Sequence, residues 1–151
     1  MLDIVSLIAN TLTTSWNTVT VALPNIVTSL TGKDEVLDIT RNLPQITILE
    51  VPETRVREEF IMNGTYRVEH DVLLRVFVRP KNYTSEAVIS AKSTFLNLKT
   101  EIERILIAKQ YLIEGVTSIT PTIWNTESDE TKEPIVYQVS MVIHSIYYRS
   151  V

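Results

Sequence analysis

Two histidines, His70 and His144, are the chain's only imidazoles, and imidazole is the side chain that titrates nearest neutral pH. Each stands in a stretch of alternating apolar and polar residues with no carboxylate at metal-ligand spacing. Both therefore read as structural or interface histidines. No H-x-H, D-x-D or H-E-x-x-H pattern supplies the three donors that a metal site needs. The G-x-S-x-G turn that exposes a nucleophilic serine is missing as well. With no cysteine in the chain, thiolate nucleophiles, thiolate zinc sites and disulfides are excluded together. Glu58 and Glu59 are adjacent, and adjacent strand residues point to opposite faces, so they do not form a proton-sharing dyad. The glycines Gly32, Gly64 and Gly115 stand alone and build no phosphate cradle. Gly32-Lys33-Asp34 lacks the upstream glycine and the Ser/Thr metal ligand of a P-loop. The expectation is a chain with no catalytic residue, no cofactor and no metal.

What remains chemically distinctive is charge on loops. Glu53 to Glu59 carries Arg55, Arg57, Glu58 and Glu59, and Asn63-Gly64 after it is a strong two-residue turn signal. The stretch 126–133 carries Glu127, Asp129, Glu130 and Glu133 against the single base Lys132. Loops on a rigid scaffold commonly carry function, so these eight charged positions (Arg55, Arg57, Glu58, Glu59, Glu127, Asp129, Glu130 and Glu133) are the candidate interface or channel-facing residues. Arg67, Arg75, Arg79 and Lys81 follow one strand but alternate with Glu69 and Asp71, which argues against a nucleic-acid groove. Asn63-Gly64-Thr65 and Asn82-Tyr83-Thr84 match the glycosylation sequon; with 19 threonines in the chain, chance accounts for them. Trp16 and Trp124 read as core or interface aromatics.

The elements that must position these residues follow from composition and periodicity. At 151 residues the chain is one domain's worth, and a chain of that size buries about 68–70% of its unfolded surface. Apolar residues make up 44% and charged residues 21%, which fits a globular domain and not a disordered tail. The net charge of -4 argues against electrostatic nucleic-acid binding. No apolar run approaches the roughly 20 residues of a membrane span. The first charge is Asp3 and no positive n-region precedes it, so a secretory signal is not expected. Ile, Val and Thr together account for 53 residues, and such side chains favour a substantial sheet.

Val5, Ile8, Leu12, Trp16, Val19 and Leu23 form one helical stripe. Asp3 caps it, and the helix is expected to reach about residue 16. Continuation through the Thr-rich tract to Pro24 is open, because residues 16–23 also alternate as a strand would. Residues 31–44 read as a connection. Gln45 to Val51 reads as a short strand between Pro44 and Pro52. Tyr66 to Val78 holds a period of two, with Val68, His70, Val72, Leu74, Val76 and Val78 on one face. The other face turns apolar at Leu73 and Phe77, which implies a covering element there. Thr84 or Ser85 caps a helix running to about Gln110, with Val88, Ala91, Phe95, Leu98, Ile102, Ile105 and Leu106 on one side. Val116 to Asn125 and Pro134 to Arg149 read as a hairpin, with Pro121 marking an edge strand. The expected architecture is α+β: a single domain over 1–151 with an antiparallel or mixed sheet, the N-terminal helix and one long helix on one face, and a C-terminal β-hairpin.

This order resembles the tail terminators, also called tail completion or tail-to-head joining proteins, of tailed bacterial and archaeal viruses. The resemblance runs over roughly 1–149. It is carried by the N-terminal helix, the Pro-led strand Leu43 to Leu49, the long strand Tyr66 to Val78, the helix start Ser85-Glu86-Ala87 and the closing strand Tyr137 to Ile143. It implies a non-enzymatic virion protein of the tail or neck, assembled in the host cytoplasm. Such proteins form rings, commonly hexameric, that end polymerisation of the tail tube. The implied partners are further copies of the chain, the tail tube protein and the head-tail connector, with no membrane. DNA would pass through the lumen without specific binding, as an acidic subunit permits. Two alternatives stand beside it: another neck or tail structural protein, such as a head-closure or adaptor protein, and a small α+β enzyme or ligand-binding domain. Reversing the charges of Arg55 and Arg57 together is expected to weaken assembly, read by light scattering, while circular dichroism stays unchanged. Unaltered assembly would remove the 53–65 segment from the interface.

Overall fold

A computed structural model describes residues 3–29, 44–50, 57–126 and 136–150. Among them, two helices pack on one seven-stranded mixed sheet, the α+β arrangement that the sequence pattern predicts. The order is α1 (Ile4–Ser15), β1 (Asn25–Ser29), β2 (Gln45–Glu50), β3 (Arg57–Met62), β4 (Thr65–Val78), α2 (Ser85–Ala108), β5 (Ser118–Pro121), β6 (Asn125–Thr126) and β7 (Tyr137–Ser150).

Strand β4 is the spine. It pairs antiparallel with β7 along its whole length, from Thr65 opposite Ser150 to Val78 opposite Tyr137. On its other side β3 and β2 share it end to end: β3 faces residues 65–69 and β2 faces residues 72–77. Strand β1 adds to β2 in parallel, and β5 and β6 add to the far edge of β7. The period-two reading fixes the buried face. Ile46, Val76 and Val139 form one cross-strand row, and Ile48, Leu74 and Met141 form the next. All six are buried in the single core cluster, which also takes Ile4, Val5, Ile8 and Leu12 of α1 and Leu98, Ile102, Ile105 and Leu106 of α2. Both helices therefore cover the same side. On the opposite side Phe77 is buried too, in keeping with the apolar turn of that face seen in the sequence.

Helix α1 stops where its own side chains compete for its carbonyls. Asp3 caps it, with Oδ1 accepting the Ser6 N–H at 3.0 Å. The hydroxyls of Thr11, Thr13 and Thr14 donate to the carbonyls of Leu7, Ala9 and Asn10, at 2.7, 2.9 and 2.8 Å. Such back-bonding weakens a helix, and Trp16 leaves it extended at ψ 131°. The stripe therefore does not continue to Leu23. Trp16 instead donates its indole N–H to the Val21 carbonyl at 2.9 Å and closes a compact loop ahead of β1. That strand, with its parallel pairing, has no counterpart in the sequence reading.

Helix α2 begins as expected, with the Thr84 hydroxyl accepting the Ala87 N–H at 3.3 Å and Glu86 in the first turn. It ends at Ala108, and Gly115 takes the left-handed conformation beyond it at φ 82°. The predicted strand 116–125 is divided into β5 and β6, with the break just after Pro121. A proline cannot donate to a ladder and belongs at such an edge.

One buried charge fastens the two helices. The Glu101 side chain is 1% exposed. It accepts the Asn17 N–H at 3.3 Å just past the end of α1, and its other oxygen binds the Arg104 Nε. Arg104 in turn donates Nη2 to the Ser15 carbonyl at 2.9 Å. The members of this clasp are unequal, because Arg104 is half exposed and can return to water whereas Glu101 cannot. Arg104→Ala, which strands a buried carboxylate, should cost about 3 kcal/mol by urea denaturation. Glu101→Leu should cost less, and Glu101→Leu with Arg104→Ala should recover most of the loss of the arginine variant.

Candidate functional site

The hairpin of β3 and β4 is built by its turn. Asn63 and Gly64 sit between the paired residues Met62 and Thr65, at φ 52° and 74°. Positive φ at both positions is the type I′ geometry whose twist matches the strands it joins, and Asn-Gly is its preferred sequence. The register then follows: Glu58 faces Val68, Glu59 faces Arg67, and Phe60 faces Tyr66. Because β7 lies on the other side of β4, Arg149 stands opposite Tyr66. Glu58, Phe60, Tyr66 and Arg149 thus share one face of a three-stranded corner.

The side chains on that face interlock. Arg149 donates Nε to Glu58 Oε1 at 3.0 Å and Nη2 to Oε2 at 2.6 Å, a bidentate fork. Its guanidinium lies 4.7 Å above the Tyr66 ring, and Phe60 meets the same ring edge-on at 5.4 Å. The fork holds the Glu58 carboxyl below its ordinary value and lifts Arg149 above its own. The fork ties β3 to β7 across β4. On the other face Arg67 binds Glu69 at 2.5 Å, which raises the Arg67 pKa. Tyr148 lies opposite Arg67 and is exposed. Phe60 is 60% exposed despite its ring contact, and Ile61, at the register shift between Phe60 and Met62, is exposed beside it. This corner therefore carries an ion pair across its strands and an exposed apolar tip.

The sequence-predicted residues divide accordingly. Glu58 and Glu59 lie in β3, on opposite faces as expected, and Glu58 is part of the clamp. Arg57 is the first residue of β3, opposite Glu69. Arg55, Glu127, Asp129, Glu130 and Glu133 lie outside the described residues. Sequence reasoning missed Arg149, Tyr66, Phe60 and Ile61. The Asn-Gly turn alone fixes the Phe60–Tyr66 pairing, but finding Arg149 needs the β4–β7 register.

Each histidine meets one carboxylate, through cross-strand pairing that spacing along the sequence does not reveal. Cross-strand pairing brings Asp71 opposite His144, and His144 Nδ1 binds its carboxylate on the face away from the helices. His70 is buried on the helix-facing side, with Nε2 3.3 Å from Glu50 Oε1. Its Nδ1 has no hydrogen-bond partner among the described residues. Each is a pair, and among the described residues no group of three or more His, Cys, Asp or Glu side chains gathers as a metal site would require. Both tryptophans are held as structural aromatics. Trp16 serves the loop described above, and Trp124 donates to the Glu103 carboxylate of α2. Among the described residues no helix is long and apolar enough to cross a membrane.

Because Glu58 has its pKa lowered on folding, its clamp stabilises the fold above the unfolded carboxylate's titration. That contribution is lost as pH falls through the lowered folded-state value. Glu58→Gln should therefore lower the urea midpoint slightly at pH 7, and the gap to the parent should close in acid. A gap independent of pH would remove the charge from the clamp.

Comparison with protein-family models finds no match, and comparison with curated proteins finds none either.

Proposed function

We propose that this chain is a structural subunit of a viral tail or neck, a tail terminator that works as a closed ring. The observation that carries this reading is the element order, in which an N-terminal helix, a long central strand, one long helix and a closing strand all build a single sheet. The charge-clamped corner supports it, because a strand pair ending in an exposed aromatic is suited to protein contact. The ring would cap the finished tail tube and present its other face to the head connector. Subunits that meet head to tail close into a ring when the rotation between neighbours allows, and the two ring faces are then free for different partners. A subunit charge of -4 leaves a lumen in which the genome slides without phosphate contacts to hold it.

Static light scattering and electron microscopy of the purified chain test this directly. The expected result is an annulus of fixed mass with a central opening, and added annuli should shorten tubes polymerised from the cognate tube protein. A monomer at all concentrations, or an annulus that binds connector but leaves tube length unchanged, would overturn the terminator role. The second of these would point to a head-closure or adaptor protein instead.

A further inference from the structure

Of the eight asparagines in the chain, Asn63 alone is followed by glycine. The pair that builds the β3–β4 turn therefore also places an electrophile beside a nucleophile. The side-chain amide carbon of Asn63 is open to attack, and the backbone nitrogen of Gly64 is the nearest group that can make it. Glycine has no Cβ to obstruct that approach. Asn63 is exposed at the turn. The residues flanking a two-residue turn close its ladder, here Met62 and Thr65. Among the described residues, neither the Asn63 amide nor the Gly64 N–H makes a hydrogen bond. The other described asparagines are held differently. Asn10 and Asn97 lie within α1 and α2, where the following N–H is bound into the helix. Asn17 and Asn82 turn Oδ1 onto the backbone N–H groups of Val19 and Thr84, each at 3.0 Å. Asn25 and Asn125 precede the β-branched Ile26 and Thr126 in β1 and β6.

We propose that Asn63 is a modification site at which the turn converts its own amide to an acid. The Gly64 nitrogen attacks Asn63 Cγ; a C–N bond forms there and the Cγ–Nδ2 bond breaks. Ammonia leaves with the proton given up by the Gly64 nitrogen, and a cyclic succinimide remains. Water then opens the ring at one of its two carbonyls. Opening at Cγ gives an ordinary aspartate. Opening at the main-chain carbonyl carbon of Asn63 gives isoaspartate, whose backbone runs through Cβ and Cγ and is longer by one atom. Either product adds one negative charge to a subunit of net charge -4. Their effects on the corner differ. Asp-Gly suits the same type I′ turn as Asn-Gly, so aspartate keeps the register. The longer backbone of isoaspartate does not fit a two-residue turn. Phe60 then loses its place opposite Tyr66, and Glu58 its reach to Arg149.

Peptide mapping by mass spectrometry tests the site on the full chain held in warm, mildly alkaline buffer. The Asn63 peptide should convert first, and an isoaspartate-specific methyltransferase should label it. Asn63→Gly, whose Gly-Gly pair also suits the turn, should lose both the conversion and the label at this position. Asn63 still intact after the same chain in urea has converted would overturn the site, as would faster conversion of any other asparagine. The labelled chain should unfold at a lower urea midpoint than Asn63→Asp, which carries the added charge on an ordinary backbone. Equal midpoints would overturn the loss of register at the corner.

Discussion

The unbroken antiparallel ladder between β4 and β7 is the constraint on which the rest of the molecule hangs. Its residues pair without a register shift from Thr65–Ser150 to Val78–Tyr137. Side chains alternate across a sheet with period two, so a slip of one residue would exchange the two faces of both strands at once. Val68, Val72, Leu74 and Val76 would turn from the helices to the other side, and Arg67, Glu69, Asp71 and Arg75 would enter the core. Burying these four charged side chains costs far more than any ladder hydrogen bond returns. The register is therefore fixed by the core, and every other feature inherits it.

The charged pairs show the inheritance. Asp71 meets His144, and Arg149 reaches Glu58, only because the ladder sets those residues opposite or diagonal to one another. Glu58 and Arg149 are separated by 91 positions in the chain, and no local pattern encodes their meeting. The clasp of Glu101, Arg104 and Asn17 plays the same part for the helices. Without it the end of α1 would rest on apolar packing alone, which is non-directional and would not single out one angle of approach to α2. Exposed ion pairs contribute little to stability. In the clamp their value is geometric: two hydrogen bonds in a fork fix a strand corner that apolar contact leaves free to splay.

The sequence carries its local rules openly and hides its long-range pairings. Thirteen residues of strict alternation from Tyr66 to Val78 are hard to place on a helix, and β4 lies there with one more residue at its start. The Thr84 cap and the apolar spacing of α2 were equally readable, as was the Asn63-Gly64 turn. Strand β1 was hidden because Asn25–Ser29 is too short for periodicity to speak. Its parallel partner Gln45–Leu49 lies some twenty residues further along, across no turn signal that marks pairing. The end of α1 was blurred because apolar spacing continued past Ser15, and hydroxyl competition for the carbonyls decided the matter instead. At the corner, loop charge pointed to the right segment in Glu58 and Glu59, but the weight of the site lies on Phe60, Ile61 and Arg149. An exposed phenylalanine looks like a core residue until the pairing shows which way it faces.

A ring asks more of its subunit than a filament does, because the angle between the two contact surfaces must repeat without error. In the proposed ring that angle would be carried by the one sheet that spans the subunit. Adjacent strands twist by roughly 20–25° with a fixed hand, so the two edges of a rigid sheet present their contacts at a defined rotation. The continuous β4–β7 ladder and the Glu58–Arg149 fork would limit drift of that rotation. A flexible tip would allow neighbours to meet at varied angles, and a heterologous contact that fails to close gives open fibres. In the proposed ring, the Glu58–Arg149 fork would serve that closure requirement by holding the strand corner in the same geometry in every subunit.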